Sequence, residues 1–408
     1  MTKLLFILIA FIGGTFSIFL NIVQARSASN PTPENLSDVY DAETYTKWKQ
    51  YCAEHSRLSI ISSVITGIVM LALLFTDAYA AFASLFPDTP LMQILSIILL
   101  ETVLSTLSGV VESYISNMVI EQKYGFNRTS IKTFIGDRIR SLLLGFVLSF
   151  LLAYAVWGFY SLVGVWMIPI FAGAMLVFSL VISFLYPIFS RIGNKFTPLE
   201  EGDLRASLMN LLTKHGYSVK AIEVMDASRR TTKLNAYFTG FGKMKTIVLF
   251  DNLVNAMTPD EICAVFAHEL GHGLYKDVTK RQILNFFNML IMGTAAWVAV
   301  NFVEFHTAFG FEDVNYGFSY ILMGICLGVI TPLTGIVMNA YSRFAEYRAD
   351  RQSVSEGYGP AMITALKKLA RENFSHLAPS KINVVLEYSH PPLSERIAAV
   401  EKEIKKSK

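Results

Sequence analysis

The chain has 408 residues and a formal net charge of +3, and 53% of its residues are hydrophobic while only 16% are charged. Soluble domains contain about 25% charged residues, so this composition is typical of a membrane protein and excludes intrinsic disorder. The near balance of 35 basic and 32 acidic side chains argues against nucleic acid as a partner. The three cysteines lie far apart in sequence, so any metal must be bound by histidine and carboxylate side chains.

Seven apolar segments are long enough to cross a bilayer, whose core of about 30 Å needs about 20 helical residues. They lie at roughly 4–23, 58–86, 91–119, 141–160, 166–190, 283–303 and 319–341. The first segment also has features of a cleavable signal peptide, although the charge distribution favours an uncleaved anchor. Asp77, Glu101 and Glu112 lie inside these segments and are expected to face protein or a polar interior, because charge in lipid is costly.

Basic residues are distributed unevenly between the loops. The loops after the first and third segments contain several of them, and the loops on the other side contain none. Because cytoplasmic loops carry an excess of Lys and Arg, the N-terminus is predicted to lie outside and the C-terminus inside. This orientation places two long polar stretches, about 191–282 and 342–408, together on the cytoplasmic side.

The first polar stretch contains the pattern His268-Glu269-Leu-Gly-His272. Ten residues upstream, Thr258 and Glu261 form the Thr-x-x-Glu pattern of a capping box, which predicts that a helix begins there. Residues four apart lie on one helical face, so both imidazoles can bind one ion. Glu269 lies about 100° further round the helix and can approach a water on that ion without binding the ion. The alternative is a helix whose histidines only cap or pack.

Catalytic zinc has three protein ligands and one position open to water, so a third ligand is needed. Val278 stands where a metzincin has its third histidine, which excludes that class. Asp277 is one candidate. Glu346 is favoured, because Glu346 and Asp350 are one turn apart on the same face of a predicted helix. One carboxylate would bind the metal and the other would accept the spare N–H of a ligating histidine, although an ordinary interfacial helix with paired charges remains the alternative.

Further motifs accompany this pattern along most of the chain. They are Glu121–Asn127, Asn194–Leu199, Asn235–Phe241 leading into Ile247–Asp251, and Glu346-x-x-x-Asp350 with the closing His390–Arg396. With these residues the chain resembles the integral-membrane zinc CaaX prenyl endopeptidase family, the a-factor-converting group, over nearly its whole length. The expected fold class is mainly α, a polytopic membrane protein with about seven transmembrane helices plus a cytoplasmic α+β zinc-metalloprotease domain with a small sheet.

The expected domain organisation alternates membrane helices with polar segments. Residues 1–190 contain five transmembrane helices with cytoplasmic loops, and residues 191–282 form the metalloprotease segment with the HExxH helix. Residues 283–341 contain the last two transmembrane helices, and residues 342–408 form a cytoplasmic segment that completes the active site. The compact length and a short outer loop favour a bacterial inner membrane over the endoplasmic reticulum.

The resemblance also implies roles for individual residues. Its expected ligands for one Zn²⁺ per chain are His268, His272 and Glu346. Its expected substrate-binding residues are Asn235, His390 and Arg396. Glu269 is implied as the general base, and Asp350 as the support of a ligating histidine. The chemistry of the side chains agrees, because His390 suits an oxyanion and the Arg396 guanidinium suits a peptide carboxylate.

The implied activity is hydrolysis of peptide bonds by a metal-activated water, with removal of C-terminal tripeptides from prenylated proteins. The expected partners are membrane lipid and a peptide or protein substrate, with or without a prenyl group. Residues Thr246–Phe250 are interpreted as an edge strand to which an extended peptide could add. Two alternatives stay open, namely a membrane-protein quality-control protease resembling the HtpX type and a polytopic transporter or scaffold with an inactive metal motif.

Overall fold

The computed structural model describes residues 1–127, 129–189, 191, 194–217, 219–229, 232–239 and 245–407. Helices dominate this part of the chain. They are, in chain order, α1 (Thr2–Ser27), α2 (Ala42–Phe75), α3 (Ala78–Ala83), α4 (Pro90–Tyr114), α5 (Ile131–Val163), α6 (Met167–Phe189), α7 (Asp203–Lys214), α8 (Asp251–Ala256), α9 (Pro259–Leu274), α10 (Asp277–Asn301), α11 (Val303–Thr307), α12 (Tyr316–Ser355), α13 (Gly359–Glu372), α14 (Lys381–Leu386) and α15 (Leu393–Lys406).

Within the described residues, six helical stretches are long and apolar enough to cross a membrane. The fourth of them, Ile131–Ile182, contains two of the seven apolar segments of the sequence, now α5 and α6. A single 3₁₀ turn, Gly164–Trp166, separates these two helices. The expected mainly α membrane fold is confirmed, and the number seven is approximate because this pair forms one nearly continuous stretch.

The second apolar segment was expected to run to residue 86, and this end is wrong. Helix α2 ends at Phe75 because Asp77 adopts a left-handed conformation with φ of 55°. Its carboxylate lies 2.7 Å from the ammonium group of Lys3, which also donates to the Phe75 carbonyl. Asp77 therefore pairs with the start of α1 and is not part of a polar interior.

The membrane helices enclose a cavity of about 1100 Å³ with a mostly apolar lining. Two intramembrane carboxyl groups lie on its wall. Glu101 accepts a hydrogen bond of 2.6 Å from the Tyr79 hydroxyl, and Glu112 accepts one of 2.5 Å from Ser62. Both carboxyl groups thus have the protein partner that an ionisable group in lipid surroundings needs.

A small mixed sheet lies in the polar part of the chain. Its strands are β1 (Phe196–Pro198), β2 (Val219–Met225), β3 (Ala236–Thr239) and β4 (Lys245–Phe250), in the order β1-β2-β4-β3. Strand β4 pairs parallel with β2 and antiparallel with β3. The expectation that Thr246–Phe250 forms an edge is therefore wrong, because β4 has a neighbour on each side, and among the described strands β3 and β1 lie at the two edges. Gly240 and Phe241 of the sequence motif lie outside the described residues.

Two hydrophobic cores join the polar segments into one body. The first packs α7, the sheet and α9 together through Leu208, Leu212, Ile247, Leu249, Phe266 and Leu270. The second brings the start of α2 against the C-terminal segment through Leu36, Trp48, Leu366, Leu377, Ile397 and Val400. Residues far apart in sequence thus pack together at one end of the membrane helices.

Helices α9 and α12 pack closely where Gly271 faces α12. A Cβ atom at Gly271 would lie 3.1 Å from the Ala349 Cα and 3.1 Å from the Gln352 Cβ. Such a contact is tighter than nine in ten real Cβ contacts, so a glycine here lets the two helices meet closely. This close contact places the His268–His272 pair against the face of α12 that carries Glu346 and Asp350.

Candidate metal centre

Helix α9 begins as the sequence predicts. The Thr258 hydroxyl accepts from the Glu261 amide at 3.3 Å, and the Glu261 carboxylate accepts from the Thr258 amide at 2.9 Å, which completes the capping box. The helix continues one residue past Gly273 to Leu274, and Lys276 then takes a left-handed conformation with φ of 55°. That turn starts α10 at once and directs Asp277 back toward the histidines.

His268, His272 and Glu346 meet at one point. Their ligand atoms all lie within 4.8 Å of one another, and within the described residues they form the group suited to a metal ion. The two Nε2 atoms are 3.2 Å apart. The Glu346 oxygens lie 3.5 Å from Nε2 of His268 and 3.4 Å from Nε2 of His272. His268 and Glu346 are buried, with exposures of 6% and 5%.

A second carboxylate binds the far nitrogen of each imidazole. Asp350 lies 2.9 Å from Nδ1 of His268, and Asp277 lies 3.0 Å from Nδ1 of His272. Such carboxylates fix the tautomer and turn Nε2 toward the metal. The sequence interpretation considered Asp277 only as a ligand and missed this role. Its position five residues after His272, just past a helix end, was the signal that could have found it.

The Asp277 carboxylate is itself held by two further groups. The Tyr341 hydroxyl donates to it at 2.8 Å, and the Arg348 guanidinium makes a short contact with it. The same guanidinium lies 4.3 Å from the Tyr275 ring centre, a cation–π distance. Asp277 is 3% exposed, so these partners replace the water that it has lost.

The C-terminal segment reaches the site through Arg396 and His390. Arg396 donates to Asp350 with Nε and Nη2, at 2.9 and 2.7 Å, and its third guanidinium nitrogen, Nη1, lies 3.4 Å from Oε2 of Glu346. Nε2 of His390 lies 3.4 Å from the other Glu346 oxygen, and its side chain is 63% exposed. Burial lowers the pKa of Arg396, but the charges of Asp350 and Glu346 and the hydrogen bonds to Asp350 together outweigh burial and raise this pKa.

The carboxylates also act on the charge of His272. Burial alone lowers the pKa of this imidazole, but its hydrogen bonds to the carboxylates of Glu346 and Asp277, together with the negative charges of Glu346 and Glu269, outweigh burial and raise the pKa to about 8. Four carboxylates, from Glu269, Asp277, Glu346 and Asp350, surround the histidine pair, against two guanidinium groups, from Arg348 and Arg396. With neutral imidazoles this sum is two negative charges, which favours a divalent cation.

One buried atom supports a metal ion directly. Oε2 of Glu346 is buried and makes no hydrogen bond within the described part of the chain. A buried carboxylate oxygen without a hydrogen bond is rare and costly. Two imidazoles and one carboxylate are also a ligand set that zinc takes in catalytic sites. The residues present therefore fit the ion that the sequence pattern indicates.

Asn235 lies apart from this cluster, immediately before β3. Its side chain accepts a local hydrogen bond of 2.9 Å from the Ala236 amide, and its carbonyl accepts from the Phe250 amide at 3.2 Å. Ala236 packs against the core that includes Phe266 and Leu270 of α9. The sequence motif thus leads into the edge strand that lies beside the HExxH helix.

We expect an Asp277→Asn variant to bind zinc roughly 10- to 100-fold more weakly than the parent, the usual effect of losing a hydrogen-bonded carboxylate behind a metal ligand. The amide keeps the shape but removes the negative charge that orients His272. Competition with a zinc chelator measures the change. Asp260→Asn, which alters an exposed carboxylate on the same helix as the histidines, is the matched control. Equal zinc affinities for parent and Asp277→Asn would contradict the role of Asp277.

Family models match both halves of the chain. The model described as "CAAX prenyl protease N-terminal, five membrane helices" matches residues 21–191. The model described as "Peptidase family M48" matches residues 198–404, which includes the whole metal cluster. The chain belongs to peptidase family M48. The resemblance noted in the sequence is thereby confirmed, and the protein is a multi-pass membrane metalloendopeptidase.

Curated relatives and a solved structure agree with this M48 assignment. The chain is 30% identical to "CAAX prenyl protease 1 homolog" of Oryza sativa subsp. japonica, covering 95% of this chain and 94% of the relative. It is 30% identical to "CAAX prenyl protease 1" of Saccharomyces cerevisiae, covering 95% and 92%. The crystal structure of S. mikatae Ste24p superposes with a TM-score of 0.87 at 28% identity, covering 98% of this chain and 99% of that one.

These M48 relatives bear on two further expectations. They are named as proteases, so the inactive transporter or scaffold receives no support from them. They come from a plant and a yeast, and a human relative is 27% identical over 90% of this chain. The preference for a bacterial inner membrane is therefore unsupported.

Proposed function

We propose that this M48 protein uses one Zn²⁺, bound by His268, His272 and Glu346, to cleave peptides from the C-termini of prenylated proteins. The observation that carries the proposal is the convergence of these three ligand atoms within 4.8 Å of one another. The relatives named CAAX prenyl protease, which the chain matches over nearly its whole length, support the substrate class.

When bound, the zinc ion would polarise the scissile carbonyl and lower the pKa of a water molecule, so that this water could lose a proton and attack the carbonyl. The Glu269 carboxylate takes the proton of that water and later delivers it to the nitrogen of the leaving amine. Nε2 of His390, on the exposed side of Glu346, donates a hydrogen bond to the oxyanion that develops on the attacked carbonyl. Asp350 and Asp277 hold the two imidazoles in place through their Nδ1 atoms.

The substrate peptide adds to β3 in extended form. Strand β3 is an open edge of the described sheet, and its neighbour α9 carries the histidines. Main-chain hydrogen bonds to an edge strand align an extended peptide whatever its side chains are. Asn235, at the start of this strand, and Arg396, beside Glu346, lie at the limits of the substrate site. The Arg396 guanidinium is shared between Asp350 and Glu346, so Arg396 acts on a substrate carboxylate through its positive charge.

The metal centre lies on the cytoplasmic side of the membrane. Glu346 follows Tyr316, the first residue of α12, by 30 positions, which corresponds to about 45 Å of helix. The bilayer core is only about 30 Å thick, so the second half of α12 extends beyond it. The basic residues of the loops after the first and third membrane helices assign this end to the cytoplasm. The same proposal includes the domain boundaries expected from the sequence, at residues 190, 282 and 341. It also includes membrane lipid as the surroundings of the membrane helices.

Metal content and peptidase activity of the purified protein test this function directly. We expect the parent to contain about one zinc per chain and to cleave a prenylated peptide. A His272→Ala variant loses one of three ligands and should lose both zinc and cleavage. A His215→Ala variant, which alters the histidine directly after the end of α7, is the matched control. A parent that contains no zinc would favour the inactive scaffold instead.

Competition between peptides distinguishes a protease for prenylated substrates from a membrane-protein quality-control protease. We expect a prenylated CaaX peptide to inhibit cleavage at a concentration lower by at least about tenfold than the same peptide without the lipid. A tenfold difference is about 1.4 kcal/mol, which burial of only two CH₂ groups at about 0.8 kcal/mol each would supply. The inhibition constants of the matched pair measure this preference. Equal constants, together with cleavage of unmodified membrane proteins, would favour a quality-control protease.

A further inference from the structure

The open edge of β3 is capped at its start by a side chain from elsewhere in the chain. Oδ1 of Asn373 accepts from the Leu234 amide at 3.0 Å, and Nδ2 of Asn373 donates to the Leu234 carbonyl at 3.4 Å. One carboxamide thus pairs with both main-chain groups of a single residue. A neighbouring strand would pair with Leu234 in the same way.

The pairing of β3 with β4 shows which of its residues face the open side. The Asn235 carbonyl accepts from the Phe250 amide, so Asn235 faces β4. Main-chain groups alternate between the two sides of a strand, so Ala236 and Phe238 present theirs to the open side. By the same alternation, the main-chain groups of Leu234, two residues before Ala236, also face the open side, where the Asn373 carboxamide lies. An incoming peptide can therefore pair only beyond Leu234.

Asn373 is held in this place by the end of α13. It is the first residue after the helix, and the following residue, Phe374, has φ of 55°. Glycine usually occupies that position, because left-handed backbone costs a bulky residue about 1 kcal/mol or more. The Ser375 amide donates to the Ala370 carbonyl at 2.9 Å and closes the turn. Phe374 therefore occupies a position that favours glycine, so contacts of its ring must offset the cost of this backbone conformation.

The ring of Phe374 lies at the centre of an aromatic cluster. It packs edge-on against Tyr51 of α2 at 5.5 Å and against Phe126 at 5.3 Å, both between ring centres. Phe126 belongs to the sequence motif Glu121–Asn127, which the metal centre does not use. The Tyr51 hydroxyl donates to Glu121 at 2.7 Å, so this motif and α2 are joined as well. The loop after the third membrane helix thus supports the turn that carries Asn373.

We propose that Asn373 is a positioning residue that caps the open edge of β3 and so sets where an extended substrate pairs, with the loop Glu121–Asn127 holding it there. The inference rests on the proposed function, in which the substrate adds to β3. It gives the motif after the third membrane helix a role in substrate alignment. The side chain acts through the strand and does not touch the reacting atoms.

An Asn373→Leu variant, similar in size but unable to form either hydrogen bond, tests the proposal with a prenylated CaaX peptide as probe. The two hydrogen bonds hold the start of β3, and without them the strand aligns the substrate less well, so we expect about a tenfold rise in KM with kcat changed less than about twofold. Mass spectrometry of the products should show cleavage at additional bonds, because the register is no longer limited. Asn373→Asp keeps the acceptor for the Leu234 amide and should give an intermediate KM.

Asn30→Ala is the matched control, because it removes a carboxamide hydrogen bond to the Ala378 carbonyl, close to the same turn, but leaves β3 untouched. Zinc content and thermal midpoint are measured for every variant. An unchanged KM and a single cleavage site in Asn373→Leu would overturn the proposal, and so would a loss of kcat, zinc and thermal midpoint together at unchanged KM. A parent without zinc or cleavage would instead contradict the proposed function, so the two failures are distinguishable.

Discussion

A Glu269→Gln variant is expected to lose cleavage by roughly 10²- to 10⁴-fold while it keeps its zinc. The loss follows from the proposed chemistry, because the carboxylate takes a proton from the attacking water and an amide cannot. Zinc is kept because Glu269 is not one of the three convergent ligands. Steady-state cleavage of a prenylated peptide, with zinc measured on the same preparation, gives both quantities.

The matched control for Glu269→Gln is Glu401→Gln, which makes the same change on the exposed face of α15. This control should cleave at the parental rate. If Glu269→Gln binds zinc and also cleaves at the parental rate, another group must act as the base. If it loses zinc, the residue contributes to metal binding, and the separation between base and ligands is wrong.

Removal of Asp350 is expected to give the largest loss of stability. Asp350 is 1% exposed and pairs with the Arg396 guanidinium through two hydrogen bonds. An Asp350→Ala variant leaves that guanidinium buried without its partner, which typically costs about 3–5 kcal/mol. His268 loses its acceptor at the same time, so zinc should bind roughly 10- to 100-fold more weakly. Thermal unfolding with and without a chelator separates these two effects.

A double-mutant cycle tests the pair itself. An Arg396→Met variant removes the guanidinium, and the double variant with Asp350→Ala lacks both charges of the pair. We expect the double variant to be more stable than Asp350→Ala alone, because most of the cost comes from the remaining charge. Thermal midpoints of the four proteins provide the comparison. Additive losses would show that the two side chains do not depend on each other.

Local patterns predicted much of the metal centre. The capping box of α9, the shared face of His268 and His272, and the pairing of Glu346 with Asp350 one turn apart all depend on helical geometry within a few residues. The membrane helices were predictable for a similar reason, because the length and hydropathy of a segment determine whether it can cross a bilayer. Such features do not depend on the order in which elements pack.

The wrong predictions share a dependence on distant partners. β4 was expected at the edge of the sheet, but pairing with β3 placed it inside. α2 was expected to continue past Asp77, whose carboxylate instead pairs with Lys3, 74 residues away. Asp277 was considered only as a ligand because its bond to His272 depends on the turn at Lys276. Periodicity within one segment contains no information about such contacts.

The order of residues along the chain was sufficient to indicate a membrane protein with an HExxH helix, because hydropathy and helical spacing are local properties. The fold alone brought Asp350 to His268 across 82 positions and Arg396 to Asp350 across 46. The first contact forms because α9 packs on α12 at Gly271, where the absence of a side chain lets two helices approach closely, and the second forms because α15 packs on α12. Shape complementarity between distant surfaces decides such contacts, and it exists only after the chain has folded.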